Sequence, residues 1–184
     1  AKLLRVCNSS ALALSEPVSS VEHALLLLGY RQVLGLALSL GFGSSMKVAL
    51  PGYALTANAL LRHALSTATT AEHLAARGLI PDTDASVAYT AGLLHDIGKL
   101  VMAQALTREA QTAIRTHMSA EGLSSIAAER EVIGTNHAEV GAYLLHRWRL
   151  PDWIVEATAN HHQPTFEPTH LSAIVYVANR VAHV

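Results

Sequence analysis

The chain is short of nearly everything that usually announces a function. Its 184 residues hold one cysteine, Cys7, so no disulfide can close within the chain, and a disulfide-stapled secreted scaffold is excluded. Charged residues are scarce at 15% against 51% hydrophobic, the reverse of a disordered chain. Thirteen Lys and Arg against 14 Asp and Glu leave a net charge of -1, with no block of like charge. That balance predicts no nucleic-acid partner bound through its phosphates and no polybasic contact with a membrane surface. The most apolar stretch, Ala24 to Leu40, is broken by Arg31 and Gln32 and falls short of the run of about 18 residues that a membrane span needs. No basic-then-apolar leader opens the sequence, and with the lone cysteine this predicts a cytoplasmic setting. A Gly-x-Ser-x-Gly elbow, a glycine-rich phosphate loop and a Cys-x-x-Cys pair are all missing.

Alternation of period two is also missing. Apolar residues recur instead at spacings of three and four, punctuated by Gly, Pro and capping residues, so the chain reads as all-α, with about eight to ten helices. Ala1 to Val6 reads as the tail of a helix. Ser19-Ser20-Val21-Glu22 reads as a capping box opening a helix through Ala24 to Leu28 that stops at Gly29. Tyr30 to Leu40 forms a second apolar helix, ending in Gly41 to Ser45. A long pattern runs from Ala54 to Arg77 and closes at Gly78. The turn Ile80 to Asp84 caps a helix carrying Ala85 to Asp96 and then Gly98-Lys99-Leu100. Shorter amphipathic helices follow at Arg108 to Met118 and Ser125 to Ile133. Asn136 to Glu139 forms a second capping box for a helix to Trp148, Pro151 opens Asp152 to His161, Gln163 to Pro168 is a loop, and a last helix starts at His170. Trp148 and Trp153 read as packing anchors. No linker divides residues 1 to 184, which are expected to form one domain.

What the sequence does have is histidine, 11 of them and no run. His95 and Asp96 are adjacent, and on a helix neighbouring side chains diverge by about 100°, so both can reach one ion lying between them. Imidazole with carboxylate suits Fe, Mn, Ni or Zn better than calcium, which prefers an all-oxygen shell. Lys99 lies four residues beyond His95 on the same face, where an ammonium can hold a phosphate oxygen. Taken alone, the pair is as easily packing plus an Asp96–Lys99 ion pair. It is not alone: His63, His137 and the adjacent His161 and His162 fall on other helices, the way bundle metal sites are assembled. His23, His73, His117, His146, His170 and His183 read as surface or cap residues, and Cys7 as a small buried one.

This order of motifs resembles the HD superfamily of metal-dependent phosphohydrolases, and within it the HDOD branch, the HD-related output domain of bacterial signalling proteins. Leu3-Leu4-Arg5-Val6-Cys7-Asn8-Ser9-Ser10 is similar to that branch's LLRLANSA segment, and Ser19 to Ala24 with Leu28-Gly29 to its SIEQAI…LG helix. Gly92 to Lys99, His137-Ala138-Glu139-Val140-Gly141 and Trp148-Arg149-Leu150-Pro151 extend the likeness over essentially the whole chain. The resemblance implies a multi-helix HD-like bundle lacking an N-terminal helix or two. It implies a metal set of His63, His95, Asp96, His137, His161 and His162, with Asp96 and Lys99 as the groups that would serve catalysis. It also implies partners among signalling proteins or sensory domains, or a second copy of the chain. Two departures accompany it. Asn179 stands where the superfamily ends its metal set with an aspartate. The Gly-Tyr-Pro signature of the cyclic-dinucleotide-hydrolysing cousins does not follow His161-His162, so that activity is not expected. The resemblance therefore points to a signalling output module with an HD-type metal site, the alternative being an active metal-dependent phosphohydrolase.

Overall fold

Two compact units, Ala1–Lys47 and Val48–Val184, make up the backbone of the computed structural model, which describes residues 7–8, 17–21, 23–24, 26–29, 49–78, 83–163 and 169–182. In the first unit a helix begins at residue 21. Its cap is Ser20, whose hydroxyl accepts from the His23 amide at 3.0 Å. The box expected from Ser19 and Glu22 is thus shifted by one residue: His23 fills the third helical position and its ring turns back toward Ser19, while Glu22 lies outside the described residues. Cys7 is fully buried. The helices expected at 1–6 and 30–40, the turn at 41–45, residues 80–82 and the loop at 164–168 also lie outside the described residues.

The second unit opens with a structure the periodicity does not show, two short antiparallel strands, β1 (Ala49–Leu50) and β2 (Leu55–Thr56), joined by a 3-10 turn at Pro51–Tyr53. Ala54 takes a left-handed conformation at the end of that turn (φ 53°), which is incompatible with a helix starting there. Helix α1 (Ala57–Ala76) therefore begins three residues later than expected, with the Thr56 side chain accepting from the Ala59 amide. Further helices are α2 (Ala85–Leu94), α3 (Ile97–Ala105), α4 (Arg108–Ala120), α5 (Ser125–Ile133), α6 (His137–Arg147), α7 (Asp152–Asn160) and α8 (His170–Ala182). Asp84, Thr107, Ser124 and Asn136 cap α2, α4, α5 and α6 through their side chains, as their positions predict. The second capping box is only half made. Asn136 accepts from the Glu139 amide, but the Glu139 carboxylate turns to Arg130 and Thr135 at 2.6 and 2.7 Å, an ion pair and a hydroxyl outcompeting the cap.

Small residues let two pairs of helices approach closely. The buried face of α1 is Leu60, Ala64, Thr67, Ala68, Ala71, Glu72 and Ala75. Against it α2 lays Gly92, where a Cβ would stand 2.8 Å from the Ala68 Cα. α8 packs on α1 and α7, and α6 on α7 and α3. At the α3–α6 crossing Gly98 and Gly141 face each other: a Cβ on Gly98 would run into the His137 carbonyl oxygen. α2 is buried almost all round, which makes it the central rod of the unit. Trp148 and Trp153 are not packing anchors, each being 53% exposed. Trp148 caps the open end of α6, and Trp153 stands in the first turn of α7 beside Ile154, which takes the buried position. Among the described residues no helix is long and apolar enough to cross a membrane.

Candidate metal centre

The continuous helix expected from Ala85 through Leu100 does not form. The chain turns at His95–Asp96, with α2 ending before the pair and α3 starting after it. That break aims both side chains inward. Asp96 is the N-cap of α3 but its carboxylate makes no capping hydrogen bond. It lies instead among five polar side chains: Lys99 Nζ at 2.7 Å and His95 and His63 Nε2 at 3.5 and 3.7 Å on one oxygen, and His137 and His161 Nε2 at 3.2 and 3.5 Å on the other. His162 completes the group, its Nε2 lying 2.9 Å from that of His137. All six residues expected to hold a metal come together, and Lys99 with them.

Three of the imidazoles are held by their far nitrogens. His95 follows the last residue of α2 and His161 the last of α7. Each places Nδ1 on a carbonyl three residues back, Gly92 at 2.7 Å and Thr158 at 2.6 Å. Carbonyls in the last turn of a helix have no intrahelical donor, so these contacts satisfy the helix ends while fixing the rings. His137, first residue of α6, has its Nδ1 2.8 Å from both carboxylate oxygens of Glu129, and its own amide donates to Glu129 Oε2 at 2.7 Å. With Nδ1–H donating outward, each Nε2 turns a lone pair toward Asp96, the tautomer that a metal requires.

The cluster is dry. His95, His137 and His161 are fully buried, and Asp96, Lys99 and Asn179 are 5% exposed or less. Burial, which penalises the charged form, lowers His95 to about 3, His162 to about 2 and His161 below the ordinary imidazole range. Burial alone would raise Asp96, but the Lys99 ammonium and the surrounding imidazoles overcome it and hold the carboxyl well below the usual range. Neutral imidazoles around an ionised carboxylate are a donor set for a divalent transition metal. The fit has one decisive sign: Asp96 Oδ1 and His161 Nε2, both buried, have no hydrogen-bonding partner. An orphaned pair of that kind is costly, and an ion between them is what both would accept. Ligand atoms of Asp96, His137, His161 and His162 lie within 4.8 Å of one another, as do those of His63, His95 and Asp96.

Two residues of the centre were not read from the sequence. Glu129 lies on the apolar face of an ordinary amphipathic helix, and a carboxylate there, wholly buried, was the available sign. Tyr53 packs its ring edge-on to His137 at 6.3 Å and under Lys99 Nζ at 5.7 Å. Burial, followed by the charges of Glu129 and Asp96, raises its hydroxyl far above the usual range, so it stays protonated. Asn179, on α8, has its amide oxygen 3.0 Å from His63 Nε2, so the expected aspartate position does face the cluster.

The family model of the HDOD domain matches residues 1–164. This chain belongs to the HDOD family. An HDOD domain protein of unknown function from Geobacter sulfurreducens shares its fold with a TM-score of 0.64 and 27% identity, over 99% of this chain and 59% of that one. The MmoQ response regulator of Methylococcus capsulatus gives 0.61 and 28%, over 98% and 70%. Ribonuclease Y of Thermus thermophilus is 32% identical over 124 residues, 67% of this HDOD chain and 16% of the ribonuclease. The chain thus spans about a sixth of that curated relative's length.

Proposed function

We propose that this HDOD domain is a signal-transduction output module that holds a divalent transition metal, Fe, Mn, Ni or Zn, in its histidine–aspartate cluster, and passes a change of state to a sensory domain or another signalling protein. Association with a second copy is part of the same proposal. The observation that carries it is the neutral Asn179 amide lying on His63, where hydrolytic members of the superfamily place a carboxylate. The cluster keeps the rings that hold an ion but lacks one negative charge that a hydrolytic pair of ions needs. The likeness to a response regulator supports the signalling half of the reading. Lys99, the candidate phosphate ligand, is 5% exposed and spends its charge on Asp96 at 2.7 Å.

The second reading is a phosphohydrolase acting on a phosphoester or nucleotide. The intact His95–Asp96–Lys99 grouping favours it, and the ribonuclease among the relatives is consistent with phosphodiester chemistry. A bound divalent ion would there lower the pKa of a coordinated water. Asp96 and the four histidines nearest it would orient the ion, and Lys99 would have to leave Asp96 to meet a phosphate.

Elemental mass spectrometry on protein purified without chelator or His-tag tests the first reading. Bound transition metal in the wild type, absent from Asp96→Ala, is expected, with no turnover of nucleotides, cyclic dinucleotides or generic phosphoesters. Metal content unchanged in Asp96→Ala sinks the site. Metal-dependent turnover moves the assignment to the second reading.

A further inference from the structure

We infer that the centre is a one-ion site: the ion is held on the Oδ1 side of Asp96 by His137, His161 and His162, and the Oδ2 side is closed to a second cation by Lys99 and Asn179. This rests on the metal-binding reading above and gives it a place and a stoichiometry. The two oxygens of Asp96 face different company. Beside Oδ1 two imidazole nitrogens present lone pairs, and only His162 Nε2, 2.9 Å from that of His137, brings a proton. His137 Nε2, its partner nitrogen committed to Glu129, stands 3.2 Å away, and His161 Nε2, its partner nitrogen committed to Thr158, stands 3.5 Å away. Oδ1 and His161 Nε2 are buried without partners. His162 reaches the same space, its ring tilted against that of His161 with centroids 4.2 Å apart, and it alone of the three is only half-buried.

Beside Oδ2 a cation is already in place. The Lys99 ammonium sits on it at 2.7 Å, buried with it. An ammonium there occupies the position and supplies the positive charge that an ion would bring. Asn179 Oδ1, 3.0 Å from His63 Nε2, can only accept, so it keeps a proton on the nitrogen that would otherwise ligate. His63 Nε2 and His95 Nε2 lie 3.2 Å apart, a distance at which that same proton is shared between the rings. An aspartate at 179 would bring a negative charge and a strong ligand oxygen, both of which the neutral amide lacks. Lys99 and Asn179 therefore act together on this side, one as a fixed cation and the other as a neutral amide where a ligand carboxylate would stand.

The test uses the full chain, stripped with chelator, dialysed and titrated with Co²⁺. Visible absorption of the ion and elemental mass spectrometry give affinity and stoichiometry. The wild type is expected to take one equivalent. His162→Ala should weaken Co²⁺ binding about tenfold or more, in the range seen when a metal site loses a supporting contact. His63→Ala should leave affinity within about threefold on the same scale. Both positions keep some solvent exposure, so both variants are expected to fold, with circular dichroism as the check. The double variant Lys99→Met with Asn179→Asp should take up a second equivalent. Two equivalents on the wild type, or loss of Co²⁺ in His63→Ala with His162→Ala unaffected, overturns the one-ion assignment while leaving the metal reading standing. A double variant that still takes one ion overturns the role given to Lys99 and Asn179. A folded wild type that takes no Co²⁺ overturns the metal reading and this inference with it.

Discussion

Gly98→Ala inserts a methyl group where two helix backbones meet. At residue 98 the new Cβ would overlap the His137 carbonyl oxygen and stand 2.8 Å from both the His137 carbonyl carbon and the Gly141 amide nitrogen. Ordinary contact starts near 3.4 Å, so α3 and α6 must separate by more than half an ångström. Every obstructing atom is backbone, so no rotamer relieves the clash. Adding a methylene to a packed core costs about 1–3 kcal/mol, and backbone obstruction puts this case near the upper end. Alanine in place of glycine inside a helix returns about 1 kcal/mol. The net loss is then about 2 kcal/mol, or a fall in Tm of about 4–8 °C for a domain of this size. Gly52→Ala is the control, because a Cβ there meets Gln111 at an ordinary 3.5–3.6 Å. Thermal and urea unfolding of both variants with the wild type measure the difference. Because His137 opens α6, the Gly98 variant should lose Co²⁺ affinity as well as stability. A Gly98 variant as stable as the control would refute the reasoning, since the two helices could not then lie this close.

Glu129→Gln keeps the shape but removes the charge that grips His137. It leaves an amide group against the His137 N–H, for a loss of about 2 kcal/mol in urea unfolding and a tenfold or greater fall in metal affinity; an unchanged affinity would show that Glu129 does not position the ring. Asp96→Asn leaves the buried Lys99 ammonium without its carboxylate, so stability should drop by about 3–5 kcal/mol, and Lys99→Met in the same chain should restore much of it. Metal-free protein should lose stability as the pH falls. His95, His161 and His162 are all depressed in the fold, so from about pH 6.5 downward the unfolded chain binds protons that the folded chain refuses. Each such imidazole costs about 1.4 kcal/mol per pH unit, the window for His95 closing near pH 3; unfolding free energies that are flat between pH 7 and 5 would contradict this. Asn136→Ala removes the hydroxyl-free cap of α6, made by its side-chain oxygen at 3.0 Å, and should cost about 1 kcal/mol in the same measurement.

How far the sequence could be read depended on whether the determining contact was local. Ser125–Ile133 was legible to the residue, because a serine cap at one end and the left-handed Gly134 at the other, its amide on the Arg130 carbonyl at 2.9 Å, are signals carried within a few positions. The start of α1 was missed because its boundary is set by a pairing of Ala49–Leu50 with Leu55–Thr56, and strands of two residues show no periodicity. The histidine and aspartate cluster was legible as a set of residue types, and the fold brings all of them together. That His95 and Asp96 lie at a break between two helices was not legible, since apolar residues continue through Leu100 without a proline or a gap in the pattern. Glu129 was hidden for a related reason: amphipathic periodicity tolerates one carboxylate on a buried face, and only its partner eight residues on explains it.

The break at His95–Asp96 is also what makes the centre possible. A carboxylate at a helix N-cap ordinarily turns back to the free amides of its own first turn, as Asp84 does on Ser86 and Val87 at 2.7 and 3.1 Å. Asp96 holds the same position on α3 and does not; Lys99 and the histidines compete for it and win. The histidines in turn are placed by helix ends, two of them by carbonyls that α2 and α7 leave unsatisfied. The centre therefore replaces local capping by contacts between elements. An alanine at Asp84 should loosen one helix start, whereas an alanine at Asp96 should uncouple α3 from α1, α2, α6 and α7 at once, because His63, His95, His137 and His161 all approach that one carboxylate. Hydrogen exchange distinguishes the two. Faster exchange confined to α2 is expected for Asp84→Ala, and faster exchange at the start of α3 together with the ends of α2 and α7 for Asp96→Ala. If Asp96→Ala disturbed α3 alone, the carboxylate would be an ordinary cap and the convergence of the histidines incidental.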